Sequence, residues 1–286
     1  MEQKRDRRTP TVRGRQLGIE LKRLRSAAGL TAEQAGDALG CSQGKVSRIE
    51  LARTGISKGD LFLMLDLYGV TETTLKEQYW QLAREARGRG WWENYRDVIT
   101  SSLSAYIAFE ADAAELRTWS WGTINGLLQT ADYARATFSG EPAGRNRAQI
   151  EIDKLVTARL ARQQRLADGS LKLWAVLDES LLHRRIGGSE VLRGQLDALL
   201  KQPANVTIQV LRQQTSWHAG LNGAFSIMDF TDHPRVVFVE SPAGDLNVED
   251  ERDVSRVTLG FDYLRAAAAS VEESRDLIER TRDTIE

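Results

Sequence analysis

Between residues 29 and 42 the chain stops and restarts twice, and this punctuation constrains the fold more than any other feature. Gly29 precedes Thr31, and Gly40 precedes Ser42. Glycine suits the left-handed turn that ends a helix, and a hydroxyl side chain caps the first free N–H groups of the next. Thr31-Ala32-Glu33-Gln34 also has glutamine at the third position, which completes a capping box. A short helix bearing Ala35, Ala38 and Leu39 therefore lies between two stops, followed by Gln43-Gly44-Lys45-Val46-Ser47-Arg48-Ile49-Glu50 with Val46 and Ile49 turned inward. Helix, tight glycine turn, helix is a helix-turn-helix layout.

The surroundings agree. Leu17, Leu21, Leu24 and Ala28 share one face of a preceding helix that Gly29 ends. Leu61, Leu63, Met64 and Leu67 predict a fourth helix over Asp60–Tyr68, and a fifth is expected to be capped by Thr71. Residues 1–14 are polar, basic and interrupted by Pro10, which predicts an extended arm; residues 15–80 form the helical unit. Residues 1–58 hold thirteen Lys/Arg against six Asp/Glu, although the whole chain carries a formal charge of −1. A basic head on an acidic body suits a nucleic-acid-binding module joined to something else. Arginine is by far the commoner base; its planar fork suits phosphate and guanine, and genomic base composition accounts for the excess equally well.

Leu24-Arg25, Gly29-Leu30-Thr31, Ala38-Leu39-Gly40, Ser42 and Val46-Ser47-Arg48-Ile49-Glu50 together resemble the phage-repressor and Cro-like (XRE-type) helix-turn-helix family. The resemblance implies that Gln43, Gly44, Lys45, Ser47 and Arg48 face the major groove of double-stranded DNA, with Thr31 near the backbone. Gln is matched to adenine and Arg to guanine by bidentate hydrogen bonds. It also implies an ion pair between Arg25 and Glu50 that ties the first helix to the reading helix. Many relatives carry Gln after the capping Thr as a phosphate anchor. Ala32 stands there in this chain, so the anchor is expected either to be weaker or to be supplied by Arg5, Arg7, Arg8 and Arg13.

Other chemistry finds little material. Gly40-Cys41-Ser42-Gln43-Gly44-Lys45-Val46 has three residues between its glycines and no hydroxyl after Lys45, so it is not a phosphate loop. One cysteine, Cys41, gives neither an intramolecular disulfide nor a multi-cysteine zinc site, and a packed thiol at the turn is expected. His183, His218 and His233 have no serine in a nucleophile elbow beside them, and Asp178 reads as a helix cap. The expectation is no catalytic residue, no cofactor and no metal. No apolar run reaches the roughly 18 residues of a membrane span, and the basic start lacks a secretory core. A cytoplasmic protein, nucleoid-associated when bound to DNA, is expected.

At 286 residues the chain is long enough for two domains. Residues 81–286 are read as an α+β domain, helical over 81–168 and strand-containing over 169–286, so the fold class is a mainly α helix-turn-helix bundle followed by α+β with a small mixed sheet. Nine aromatic residues lie between Tyr79 and Trp121, interleaved with acids. Two readings stand: a ligand or partner cleft walled by Trp91, Trp92, Trp119 and Trp121 with Glu110 and His218 at its rim, or tryptophans filling a helical core. Ala148–Leu166 reads as a long helix with Arg159, Arg162 and Arg165 exposed. Strands are expected only after residue 170, at Leu171–Leu177, Val206–Leu211, Ala224–Phe230 and Arg235–Glu240. Helices are expected at Leu181–Ile186, Glu190–Leu200, Glu249–Ala267 and Val271–Ile285.

Trp91-Trp92, Glu110-Ala111, the run Gly126–Ala134, Val176-Leu177-Asp178-Glu179, Gln195-Leu196, His218-Ala219-Gly220 and Gly223-Ala224-Phe225 resemble an uncharacterised (DUF5753-like) domain that follows Cro-like modules in regulators of filamentous actinobacteria. The resemblance implies transcriptional control, often with a small partner protein encoded nearby in an antitoxin-like arrangement. Relatives carry Val-Pro before Gly126; Ile124-Asn125 here implies a less rigid loop. The combined expectation is a homodimeric, sequence-specific DNA-binding transcriptional regulator whose second domain receives a partner protein or a small-molecule effector. The alternative is an antitoxin-like interaction module that sequesters a small partner, with DNA binding secondary.

Overall fold

The computed structural model describes residues 12–86, 90–140, 147–231, 234–240 and 246–286. The basic arm over 1–11, with Arg5, Arg7 and Arg8, lies outside the described residues, as does His233. The chain divides into two units, one of residues 12–94 and 103–109, the other of residues 95–102 and 110–286.

The first unit is built from α1 (Val12–Ala27), α2 (Ala32–Ala38), α3 (Gln43–Glu50), α4 (Lys58–Leu67) and α5 (Thr73–Glu85). Leu17, Leu21, Ala35, Val46, Ile49, Leu61, Met64 and Leu65 form its core. Gly29 and Gly40 take φ of +73° and +64°, the left-handed conformation their helix-ending places require. Two details depart from the sequence reading. Helix α1 begins at Val12, so Arg13 is helical rather than part of the arm. Helix α5 starts at Thr73 with Glu72 at its cap position, not Thr71, and Glu72 accepts the Thr74 hydroxyl instead of a backbone N–H.

The second unit carries a six-stranded mixed sheet of β1 (Glu115–Ser120), β2 (Lys172–Asp178), β3 (Val206–Leu211), β4 (Phe225–Asp229), β5 (Val236–Val239) and β6 (Leu246–Val248), in the order β3-β2-β1-β4-β5-β6. Strands β1, β2 and β3 run parallel, and β4 pairs antiparallel with β1, Thr118 standing between Ala175 and Ser226. Parallel neighbours need a crossover. Helices α7 (Ala131–Gly140) and α8 (Gln149–Ala167) provide the first, and α9 (Ser189–Leu199) the second. Trp119, Val176, Leu211, Ile227 and Val237 form a core with Val254, Phe261 and Leu264 of α10 (Glu251–Ala267), and α11 (Val271–Asp283) closes the chain.

The fold class agrees with the sequence: helices first, then α+β around a mixed sheet. Strand β1 corrects the reading that strands begin after residue 170. It follows α6 (Ser101–Asp112) after two residues, and Ala111-Asp112-Ala113-Ala114-Glu115-Leu116 is helix-favouring composition. Pairing with β2 and β4 on both sides overrides that local preference. The expected helix at Leu181–Ile186 is instead a 3₁₀ turn over Glu179–Leu182, capped by Asp178, whose carboxylate accepts the Ser180 N–H at 2.9 Å. Gly187 and Gly188, at φ +80° and +97°, prevent its extension. Val271 is exposed, and Ser274 and Ile278 carry the buried side of α11.

Candidate nucleic-acid interface

The helix-turn-helix is built from satisfied helix ends. The Gln34 N–H donates to Thr31 Oγ1 at 3.1 Å, and the Thr31 N–H donates to Gln34 Oε1 at 2.8 Å, so the capping box is complete. Ser42 accepts the Lys45 N–H at 3.3 Å and opens α3. Between them Gly36 is buried, and a Cβ there would lie 2.8 Å from the Cys41 carbonyl oxygen. The turn closes because that atom is missing. Cys41 is partly buried and packs on the core, as a small apolar residue would.

Helix α1 grips the far end of α3. Arg25 Nε and Nη2 reach the two Glu50 carboxylate oxygens at 2.6 and 3.0 Å, and Nη1 donates to the Leu30 carbonyl at 2.6 Å. Both side chains are nearly buried, so the ion pair expected from the resemblance is present and is a bidentate, desolvated one. The Glu50 carboxylate holds the Arg25 guanidinium above its ordinary pKa, against the opposing effect of burial. A Cβ on Gly18 would fall 2.2 Å from the Glu50 carbonyl oxygen, so glycine there allows the two backbones to touch. A glycine inside an amphipathic pattern was the available signal for this contact, and the sequence reading passed over it.

The sequence-predicted DNA contacts divide into three groups. Gln43, Gly44 and Arg48 are exposed on α3, and Arg48 makes no ion pair among the described residues. A Cβ on Gly44 would sit 3.3 Å from Arg48 Nη1, so the guanidinium lies back over the glycine one turn earlier. Ser47 is half-buried on the same helix, and Lys45 is held by Asp60 of α4 at 3.1 Å. Asp60 was not foreseen; it lies in the first turn of α4, its N–H donating to the Ser57 cap at 3.0 Å. Thr31 is occupied by its capping box, and Arg13 lies 3.5 Å from Glu85 of α5.

The aromatic and acidic residues of the candidate cleft are distributed between the units. Trp91 and Trp92, in the first, meet edge-on at 6.1 Å. In the second, Trp119 is 1% exposed and its indole N–H donates to the Gly220 carbonyl at 3.0 Å. A Cβ on Gly220 would collide with that indole at 2.3 Å. The His218 ring stands edge-on to Trp119 at 5.5 Å, and its Nδ1 is buried with no hydrogen-bond partner among the described residues. Trp121 is exposed. Glu110 holds Arg162 through two bonds of 2.8 and 2.7 Å, with both side chains buried.

That pair corrects the expectation of an exposed arginine face on α8. Arg162 is buried, and Arg159 lies over the Phe138 ring at 4.1 Å while donating to Gln129 Oε1. Arg165 donates to the carbonyls of Glu110 and Ala113, where α6 ends. Carbonyls at a helix C-terminus lack intrahelical donors, and the Arg165 guanidinium supplies them. The loop before α7 is correspondingly well held. Gln195 accepts the Thr130 N–H at 2.8 Å and donates to the Leu128 carbonyl at 2.7 Å, and Gln163 donates to the carbonyls of Gly126 and Gln129. Asn125 Oδ1 accepts the Leu127 N–H at 2.9 Å, closing this turn through a side chain.

A short helix with exposed Gln43 and Arg48, opened by a serine cap and gripped at its end by the preceding bundle, defines a helix-turn-helix DNA-binding protein. Residues 16–78 match the family model of a helix-turn-helix domain, and residues 103–280 match that of a domain of unknown function (DUF5753). The second match spans more than half of the chain, which belongs to that family. No curated protein and no solved structure shows significant similarity to it. Among the described residues, no helix is long and apolar enough to cross a membrane, and no group of three His, Cys, Asp or Glu side chains is placed to hold a metal ion.

Proposed function

We propose that the protein is a sequence-specific transcriptional regulator that binds double-stranded DNA as a homodimer, in the cytoplasm and on the nucleoid. The observation that carries this reading is the pairing of a rigid grip with a free reading surface on one helix. Arg25 and Glu50 fix α3, while Gln43 and Arg48 remain exposed for base edges. One such unit contacts only a few base pairs. Two copies on half-sites about one helical turn apart supply the missing specificity, so the operator is palindromic. The second unit acts by binding, without catalysis. It holds the copies together and receives the partner protein or small ligand that sets occupancy. His218 supports the non-catalytic part, because among the described residues no carboxylate meets its Nδ1 to orient it as a base.

The test is retention of fragmented genomic DNA by the purified protein, with Gln43→Ala/Arg48→Ala beside it, followed by sequencing. A palindromic motif that disappears with the double variant is expected. Salt-sensitive retention with no motif sinks the regulator reading and leaves an antitoxin-like interaction module as the better account.

A further inference from the structure

Helices α3 and α4 open alike. Each begins on a serine cap whose hydroxyl oxygen accepts the N–H of the third helical residue, Ser42 from Lys45 and Ser57 from Asp60. The two third residues then meet across the helices, the Lys45 ammonium lying 3.1 Å from the Asp60 carboxylate. An acidic side chain in a first turn normally serves its own helix end. This one reaches the reading helix as well.

A carboxylate is out of place there. DNA is a dense line of negative charge, and a carboxylate brought close to a phosphate opposes binding. Lys45 and Asp60 cancel, and Glu50 is taken by Arg25, so Arg48 is the one charge of α3 that no described residue balances. The Lys45–Asp60 pair is also breakable. Its side chains are 42 and 45% exposed, and exposed ion pairs of this kind are weak. A phosphate that draws Lys45 away leaves Asp60 unpaired beside a negative charge. A guanine edge makes no such demand, because it is neutral. An ammonium has three donors, and with one on Asp60 the other two suit guanine O6 and N7.

We infer that Asp60 is a specificity-determining residue that acts through Lys45: it holds the ammonium back from the phosphate backbone and leaves it to read guanine. Non-specific complexes are thereby weakened while the operator complex is spared. Asp60 itself is a positioning residue and touches no base. This inference rests on the sequence-specific regulator reading above and names one source of its specificity.

The experiment measures affinity of the full-length chain over a salt series for two duplexes, the operator recovered by genomic selection and a scrambled duplex of the same length and composition. Wild type is compared with Asp60→Asn, Asp60→Glu, Lys45→Gln and the Lys45→Gln/Asp60→Asn double, and thermal melts confirm that each is folded. Asp60→Asn is expected to bind the scrambled duplex about fivefold more tightly, with a salt slope steeper by about one ion, and the operator within about twofold. Repeated selection with this variant should lose guanine at one position of each half-site. Asp60→Glu, which keeps the charge, should behave as wild type. In the Lys45→Gln background, Asp60→Asn should change neither slope nor ratio. Equal tightening on both duplexes, an unchanged slope, or the same shift without Lys45 overturns the inference while leaving the regulator reading intact. Failure of the wild type to select any operator overturns both.

Discussion

Helices α3 and α8 both carry arginine, one on the first and three on the second, yet they use it in opposite ways. On α3 the Arg48 guanidinium lies exposed over Gly44, with no ion pair among the described residues. On α8 the Arg162 guanidinium is closed inside the second unit against Glu110, and its neighbours Arg159 and Arg165 are spent on a ring, an amide and helix-end carbonyls. The first arrangement leaves a planar donor fork without an ion-pair partner among the described residues, which suits the proposed reading of DNA. The second stores structure, because a buried guanidinium meets a buried carboxylate through two hydrogen bonds. What decides between them is whether the fold brings up a partner: none of the described residues pairs with Arg48, while a carboxylate 52 residues away in sequence meets Arg162.

The largest effect that separates the two helices comes from Glu110→Ala. It leaves a buried guanidinium uncompensated and is expected to cost about 3–5 kcal/mol of stability. Denaturant titration checks it, and a loss under 1 kcal/mol would mean that Arg162 finds water. Arg48→Ala should leave stability within experimental error and cost about 1–3 kcal/mol in affinity for the chosen operator, relaxing one base position. Competition binding with single-base operator variants reads this out; equal weakening on every sequence would demote Arg48 to a phosphate contact. Asp60→Asn, which releases Lys45, should strengthen non-specific binding and steepen the salt dependence by about one ion. An unchanged slope would show that Lys45 does not approach the phosphates.

The smallest effect is expected at Tyr68, whose hydroxyl is buried without a hydrogen-bond partner among the described residues. Tyr68→Phe removes that group and should alter stability by less than about 1 kcal/mol at neutral pH, in the stabilising direction. Burial, with Glu50 nearby, pushes the phenol up to about 12, above its ordinary value. The folded state therefore holds the proton after an unfolded chain has released it, and this contribution to stability is lost as pH rises from about 10 towards 12. The phenylalanine variant should lose stability less steeply over that window, as thermal melts across it would show.

The same contrast explains which parts of the molecule could be read from the sequence. The turn between α2 and α3 is local chemistry: Thr31, Gln34, Gly40 and Ser42 each act on backbone within a few residues, and each does in the structure what its type implies. The Arg25–Glu50 pair was legible only through a family pattern, since nothing within either helix announces it. Strand β1 was not legible, because Glu115–Ser120 becomes a strand through partners far along the chain. Gly18 and Asp60 were missed for a related reason. Their meaning lies in what they face, the Glu50 backbone and Lys45, and neither neighbour lies close in sequence.

Strand β1 also imposes an order in time. Helices α1 to α5 need nothing beyond residue 85 for the core they share, whereas β1 is flanked on one side by β4, roughly 100 residues downstream. At about 5–20 residues per second of synthesis, the reading head is complete several seconds before the sheet can close. A nascent chain therefore carries a folded helix-turn-helix core ahead of the sheet-bearing unit, and force measurements on stalled ribosomes should register two separate folding events. For that interval the helix-turn-helix stands folded without its sheet, held close to the transcript that encodes it.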